Sequence, residues 1–454
     1  MKKALSIIIM VGLVFSMFAS CGTSSPSGSS TETTLPRSNS SKEETSVTLT
    51  IWHSFTQEDR GDAIQKMADE FTALHDNVTI NIEVFPWSTF DTKWKTGLST
   101  GELPDISTAL PEGIMAMAQA DALLPLNDLI DEMGNPFVEK PFESLNFNNN
   151  ILAVPFYAHA RALWYRTDIL EKYNLDVPSN LDELANVAKA ITEQGELYGM
   201  AVPMSKKDFY GTIYLYLISK NMGGNILTKE GKVDLTSPIM IDSINYLVDM
   251  YQNASPEGSI NYGDPETNDA FIQGKSAFYF ESGFAINRVI TGNPEIADCF
   301  AALPPLPAVS GKPSGYFADY ISFVIWKNNQ DEVKQQYAKE FIKFIFENEK
   351  SYIDFLHLVP GGMLPTIKSV YDSEEFWDNE IINTHRDDIE IIKQGVENGC
   401  PVANDFGPHP ATNVIKTQGI IEEMLQSIVL GTMTTEDAAK KAEDLMNSEI
   451  AKLN

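Results

Sequence analysis

Residues 47–85 read VTLTIWHSFTQEDRGDAIQKMADEFTALHDNVTINIEVF, and this stretch decides the fold class. Its opening, VTLTIW at 47–52, is rich in β-branched residues and alternates as a strand does. Thr56 is placed to cap a helix on which Ile64, Met67, Phe71 and Leu74, spaced by three and four, share one face. VTINIEVF at 78–85 is a second strand. Strand, helix and strand in so short a span form a unit whose two strands run parallel, so an α/β fold with a mainly parallel sheet is expected.

Toward the C-terminus the same alternation continues. A helix is predicted over 88–100, closed by Gly101, and ELPDISTAL at 102–110 holds a short buried strand. A helix over 181–194 has Ser179 or Asn180 as cap and Gly195 as stop. Helices over 239–252 and 269–273 precede the strand-like SAFYF at 276–280. The Pro/Gly tract LPPLPAVSGKPSG at 303–315 looks like a crossover, followed by the strand YFADYISFVIW at 316–326 and a helix over 331–347. Two last helices, 414–430 and 435–452, are separated by Gly431.

Toward the N-terminus, Lys2 and Lys3 precede an apolar run from Ala4 to Phe18, the layout of a secretory signal and shorter than the roughly 20 residues that a membrane span needs. Phe18, Ala19, Ser20 and Cys21 then resemble the lipobox of bacterial lipoproteins, with Phe18 where an aliphatic residue is usual. That resemblance implies removal of residues 1–20 and lipid on Cys21; the alternative is an ordinary cut near Ala19 that leaves a free thiol. Residues 22–46, rich in Ser and Thr, form a tether with a coil reach of roughly 25–30 Å.

Composition narrows the function. With 33 basic against 63 acidic residues the formal charge is −30, which disfavours nucleic acid and anionic membrane surfaces as partners. Some 410 residues beyond the tether exceed one core and imply two lobes. Cys299 and Cys400 allow at most one internal bridge. The histidines at 53, 75, 159, 357, 385 and 409 form no metal spacing, and no nucleotide-binding or nucleophile motif occurs, so no metal, cofactor or catalytic residue is assigned.

Several segments in order resemble extracellular solute-binding protein family 1, the carbohydrate-binding subunits of ATP-driven (ABC) importers that include the maltose-binding group. They are LPDI (103–106), LAVPF (152–156) with ALWYRTDIL (162–170), LDVPSNLDEL (175–184), FIQGKSAFYFESGF (271–284), VPGGMLPT (359–366) and VLGTMTTEDAAKKAEDLM (429–446). Arg166 and Trp164 depart from the family's usual Asn and smaller aliphatic residue. The resemblance implies a two-lobed periplasmic-binding-protein fold with a ligand cleft between the lobes. Lobe one would hold 47–156 and 316–359, and lobe two 157–315 and 360–454.

A sugar presents apolar C–H faces and a rim of hydroxyls, so its site needs flat rings and preorganised polar groups. His53 ends the first strand and Trp87 follows the second. Glu112 falls where the resemblance puts a polar cleft residue, though a helix N-terminal acid is the plain alternative. Tyr157, His159 and Arg161 alternate in YAHAR and would face one side of an extended segment. Asp208 and Tyr210 match family positions for a carboxylate and a stacking ring; Glu281 and Phe284 match a loop after a lobe-two strand. Asp319 is a charge in an apolar run. The expected function is capture of a mono- or oligosaccharide and delivery to the membrane permease subunits of an ABC importer by a lipid-anchored monomer, not an enzyme. The alternatives are a lipid-anchored glycoside hydrolase, for which no carboxylate pair stands out, and the same fold serving a non-sugar solute.

Overall fold

The computed structural model describes residues 46–308, 315–327 and 331–453. The signal segment, Cys21, the tether up to residue 45 and residues 309–314 of the crossover tract lie outside the described residues. Among the described residues no helix is long and apolar enough to cross a membrane.

The opening stretch folds as its pattern requires. Strand β1 (Val47–His53) is followed by helix α1 (Glu58–Thr72) and strand β2 (Val78–Val84), and β1 and β2 pair in parallel from Val47 opposite Val78 to His53 opposite Val84. Ile64, Met67 and Phe71 are buried on one face of α1, as their spacing predicts. Two details differ. Gln57, not Thr56, occupies the cap position, and the helix ends at Thr72, which leaves Leu74 69% exposed.

Helix α2 (Trp87–Thr100) ends at Gly101, whose φ of 80° is the left-handed conformation that glycine adopts without cost. Strand β3 (Ile106–Ala109) is buried along its length, and helix α3 (Pro111–Gln119) follows it directly. Strand β4 (Val154–Arg166) is a long strand buried at nearly every position. Beyond it come β5 (Tyr198–Met200), helix α4 (Tyr210–Met222), helix α5 (Asp264–Ile272), β6 (Ser276–Ser282), helix α6 (Phe284–Gly292), β7 (Phe300–Leu303), β8 (Ala318–Ile325) and the short β9 (Leu364–Pro365). Helix Leu181–Glu193 is capped by the Asn180 side chain, which accepts from the Glu183 N–H at 2.9 Å. The expected helix over 414–430 is instead two, α7 (Ala411–Thr417) and Ile420–Val429, because Gly419 takes a φ of 63° between them.

The nine-stranded sheet runs β2-β1-β3-β8-β4-β6-β5, with β7 and β9 also on β4. It is mixed rather than mainly parallel. The β1–β2, β1–β3 and β5–β6 pairs are parallel, whereas β3–β8, β8–β4 and β4–β6 are antiparallel. The reason lies in β4 and β8: the chain passes forward along one and back along the other, so these two crossings oppose each other in direction. The first part of β4 pairs with β8 and its last part with β6 and β7.

Buried apolar side chains form one cluster under β1, β2, β8 and the helices Glu332–Glu347 and Glu349–Leu356, and another under β5, α4, Pro238–Ala254 and the C-terminal helices. A third, smaller cluster joins Trp52, Phe90, Trp94 and Trp326 beneath α2 and α3. Ile389, Ile392 and Val396 pack with the first cluster. Cys299 and Cys400 are both free thiols.

Candidate ligand-binding site

The polar residues near β4 sort into two groups. The first is a knot around Glu281 at the end of β6. Its Oε1 accepts from the Ser282 N–H at 2.6 Å, the Ser282 hydroxyl at 2.8 Å and Arg161 Nη1 at 3.4 Å. Its Oε2 accepts from Arg288 at 2.9 Å and Asn268 at 3.1 Å. Arg161 also donates to the Tyr210 hydroxyl at 2.8 Å and lies over that ring, 4.7 Å from its centroid. Burial alone would raise the Glu281 carboxyl, but Arg161, Arg288 and the Ser282 donors outweigh it and hold it at about 2. Asp208 serves the same region as a double cap: Oδ1 accepts from the Tyr210 N–H at 3.1 Å, and Oδ2 from the Asp264 N–H at 3.0 Å. It thereby ties the starts of α4 and α5 together.

The second group is less complete. His159 and Asp319 face each other across β4 and β8 as register partners. Asp319 is buried and its Oδ1 has no hydrogen-bond partner; the Nδ1 of His159 is likewise buried and unpaired. Burial, then Arg161, lowers the His159 imidazole to about 4 and keeps it neutral. Lys416 of α7, itself buried, stands 4.0 Å from Asp319 Oδ1 and donates to Glu112 Oε2 at 3.0 Å. Burial raises the Asp319 carboxyl to about 6, with Lys416 opposing and Glu112 adding to the rise. Phe284, at the start of α6, closes this corner with its ring 5.9 Å from His159. Phe284 is held there by a close backbone approach: a Cβ on Gly283 would come within 1.8 Å of the Gly361 carbonyl oxygen.

Glu112 also lines a cavity of about 310 Å³ with Trp87, Phe90 and Trp94 of α2 on one side and Asn413 and Thr417 of α7 on the other. A larger hollow of about 1220 Å³ at 371–386 is lined by Asp372, Glu374, Glu375 and Trp377 among others and by none of the expected residues. Its carboxylates are exposed to solvent, while Tyr371 and Trp377 behind them are buried.

The expected residues thus separate. His159, Asp319 and Phe284 meet, Glu112 is linked to them through Lys416, and Trp87 lines a cavity with Glu112 alone of these. Arg161, Tyr210, Glu281 and Asp208 meet in the knot, where the Glu281 oxygens are filled while Arg161 Nε and Asn268 Oδ1 keep no hydrogen-bond partner. His53 is buried against Phe55, with ring centroids 5.3 Å apart, and burial lowers it to about 4. Tyr157 does not share a binding face with its alternating neighbours. It sits among Phe55, Phe156 and Phe355, and burial pushes its hydroxyl up to about 12. Both faces of β4 are buried here, so alternation does not separate a wet side from a dry one. Sequence reasoning missed Lys416, Arg288 and Asn268. The signal for Lys416 was present as a lone cation within the apolar run VIKTQGII at 414–421. Among the described residues no group of ligating side chains could hold a metal ion.

The sequence profile of bacterial extracellular solute-binding proteins matches residues 56–351. The melibiose/raffinose/stachyose-binding protein MelE of Bacillus subtilis is 21% identical over 352 residues, which cover 74% of this chain and 79% of the relative. A solute-binding protein of an ABC transporter from Thermotoga lettingae, solved with α-D-tagatose bound, aligns over 89% of this chain and 99% of its own with a TM-score of 0.69 and 20% identity. The cyclic α-maltosyl-1,6-maltose-binding protein of Arthrobacter globiformis aligns over the same shares with a TM-score of 0.73 and 18% identity. At such identities the solved structures establish the fold alone, the α/β periplasmic-binding-protein fold.

Proposed function

Because this chain belongs to the bacterial extracellular solute-binding protein family, whose members bind rather than transform their solutes, we propose that it captures a mono- or oligosaccharide and delivers it to the permease of an ABC importer. The observation that carries this reading is the Asp319 corner. Two buried polar atoms, Asp319 Oδ1 and His159 Nδ1, lack hydrogen-bond partners beside the aromatic ring of Phe284. Burying such atoms unpaired costs about 1–3 kcal/mol each, a deficit that a ligand bearing hydroxyls removes. Ligand hydroxyls can each donate to one of them, and Phe284 and Trp87 offer flat surfaces to C–H faces. One relative named for binding melibiose, raffinose and stachyose, and a fold relative with tagatose bound, support a sugar over other solutes.

Lobe one (47–156 with 316–359) closes on lobe two (157–315 with 360–454) around the β4 and β8 crossings, and the permease distinguishes closed from open forms. Cys21 carries lipid after removal of residues 1–20 and anchors the protein, as a monomer, outside the membrane. The test is thermal unfolding of the purified protein against mono- and oligosaccharides, polyols, peptides and polyamines. A selective rise in Tm with sugar concentration is expected. A rise with a peptide or polyamine and none with any sugar would replace the solute class.

A further inference from the structure

A separate cavity of about 200 Å³ shares no lining residue with the one at Trp87, and Lys140, Lys220, Asn225, Cys400 and Asp405 stand in its wall. By the lobe division proposed above, Lys140 belongs to lobe one and the other four to lobe two, and junctions between domains are where small-molecule sites concentrate. The key group is Asp405, whose side chain is 6% exposed. Its Oδ1 accepts from the Tyr216 hydroxyl at 3.0 Å and lies 2.6 Å from Lys220 Nζ, whereas its Oδ2 is buried and has no hydrogen-bond partner. Ala403, held at a φ of 62° that an L residue adopts at a cost, stands two residues before it in the same loop. Burial raises the Cys400 thiol to about 12, so it lines the cavity as a neutral group and not as a nucleophile.

The charges of this wall cancel. Lys220 pairs with Asp405 and Lys140 with Glu143, so no net charge is left to hold an ion; the two ammonium groups oppose a cation and the carboxylate opposes an anion. What remains is capacity for hydrogen bonds. Asp405 Oδ2 can accept one, and the ammonium groups, with three N–H each, have donors beyond those that Lys220 gives to Asp405 and Asn225 and Lys140 gives to Glu143. Adjacent hydroxyls on one molecule answer both needs, one donating to the carboxylate while its neighbour accepts from a lysine. The volume lies below the ~300–1,000 Å³ usual for small-molecule sites and calls for a compact ligand. We infer that this cavity is a second binding site, apart from the one proposed for the transported solute, and that it takes a small neutral polyol of about three to six carbons.

The test is calorimetric titration of the whole purified protein with glycerol, erythritol, xylitol and myo-inositol. At least one should bind saturably to the wild type below about 10 mM. Asp405→Asn turns the open acceptor into a donor, and Lys140→Met removes a donor from the wall; each should weaken that binding about tenfold or more, while Asp319→Asn leaves it unchanged. Lys140 pairs only with the exposed Glu143, so Lys140→Met should keep the wild-type Tm, and it carries the test if Asp405→Asn fails to fold. Polyol binding that Lys140→Met spares and Asp319→Asn abolishes belongs to the other site and overturns the inference. So does the absence of saturable binding of any polyol up to about 10 mM in the wild type. Binding of inorganic phosphate or putrescine that depends on Lys140, with none of any polyol, overturns the ligand class. Each of these results leaves the reading of solute capture standing, because that reading rests on other residues.

Discussion

Glu281 and Asp319 are both buried carboxylates next to cations, yet they differ in one respect. Glu281 fills its lone pairs with donors from Ser282, Arg161, Arg288 and Asn268, while Asp319 leaves Oδ1 without a hydrogen bond. The electrostatic outcome follows: the first carboxyl is held at about 2 and the second is raised to about 6. Burial acts on both in the same direction, so the neighbouring charges and then the donors decide which way each moves: two guanidinium groups and Ser282 at Glu281, against one lysine offset by Glu112 at Asp319. A saturated buried charge holds architecture together; one left without a hydrogen bond is where a ligand can gain.

The largest expected effect breaks the saturated side. Glu281→Ala leaves two guanidinium groups facing an empty space and should destabilise the protein by about 3–5 kcal/mol, measured by urea unfolding. If Tm and the urea midpoint hold while sugar affinity falls, Glu281 belongs with the ligand groups after all.

Asp319→Asn should do the opposite. It removes a buried charge and should leave unfolding nearly unchanged, while ligand affinity drops about tenfold or more through loss of a charge-assisted bond. Equal affinity in the variant would remove Asp319 from the site.

pH sharpens the same contrast. As the medium is acidified the unfolded chain takes up a proton at the ordinary 4.5 of a glutamate before Glu281 does, so the stability Glu281 provides is complete above about 4.5 and is lost as pH falls toward 2. Glu281→Gln should lose less stability over that window than the wild type does. Affinity in the wild type should instead fall as pH drops through about 6, because a protonated Asp319 accepts more weakly from a ligand hydroxyl. The groups facing Asp319 are Lys416, Glu112 and Arg161, with His159 opposite, and Asp319→Asn should flatten the profile.

The smallest effect concerns Asp208. As a cap of two helix starts, its replacement by Ala should cost about 1–2 kcal/mol of stability with the affinity of the folded protein unchanged, checked by titration well below Tm. An affinity loss without a stability loss would return Asp208 to the cleft.

Much of the fold was legible. The β1-α1-β2 unit, the Gly101 stop and the Asn180 cap rest on local rules of spacing and capping, and they stand where those rules place them. The antiparallel crossing of β4 and β8 was not legible, since it depends on pairing between segments more than 150 positions apart in sequence. For the site, Glu112, His159, Asp319, Phe284 and Trp87 could be named from the sequence, by residue type or by resemblance. Their company could not. Lys416 reaches Glu112 from 304 residues away, and no local pattern carries that meeting.

By itself the sequence determined the α/β class, the acidic balance and the kinds of side chain available to a ligand, because those depend on composition and short-range periodicity. Only the tertiary structure decided which acids are saturated and which are left open. That depends on where distant donors end up, and two carboxylates in similar apolar strands look alike until the chain has folded around them.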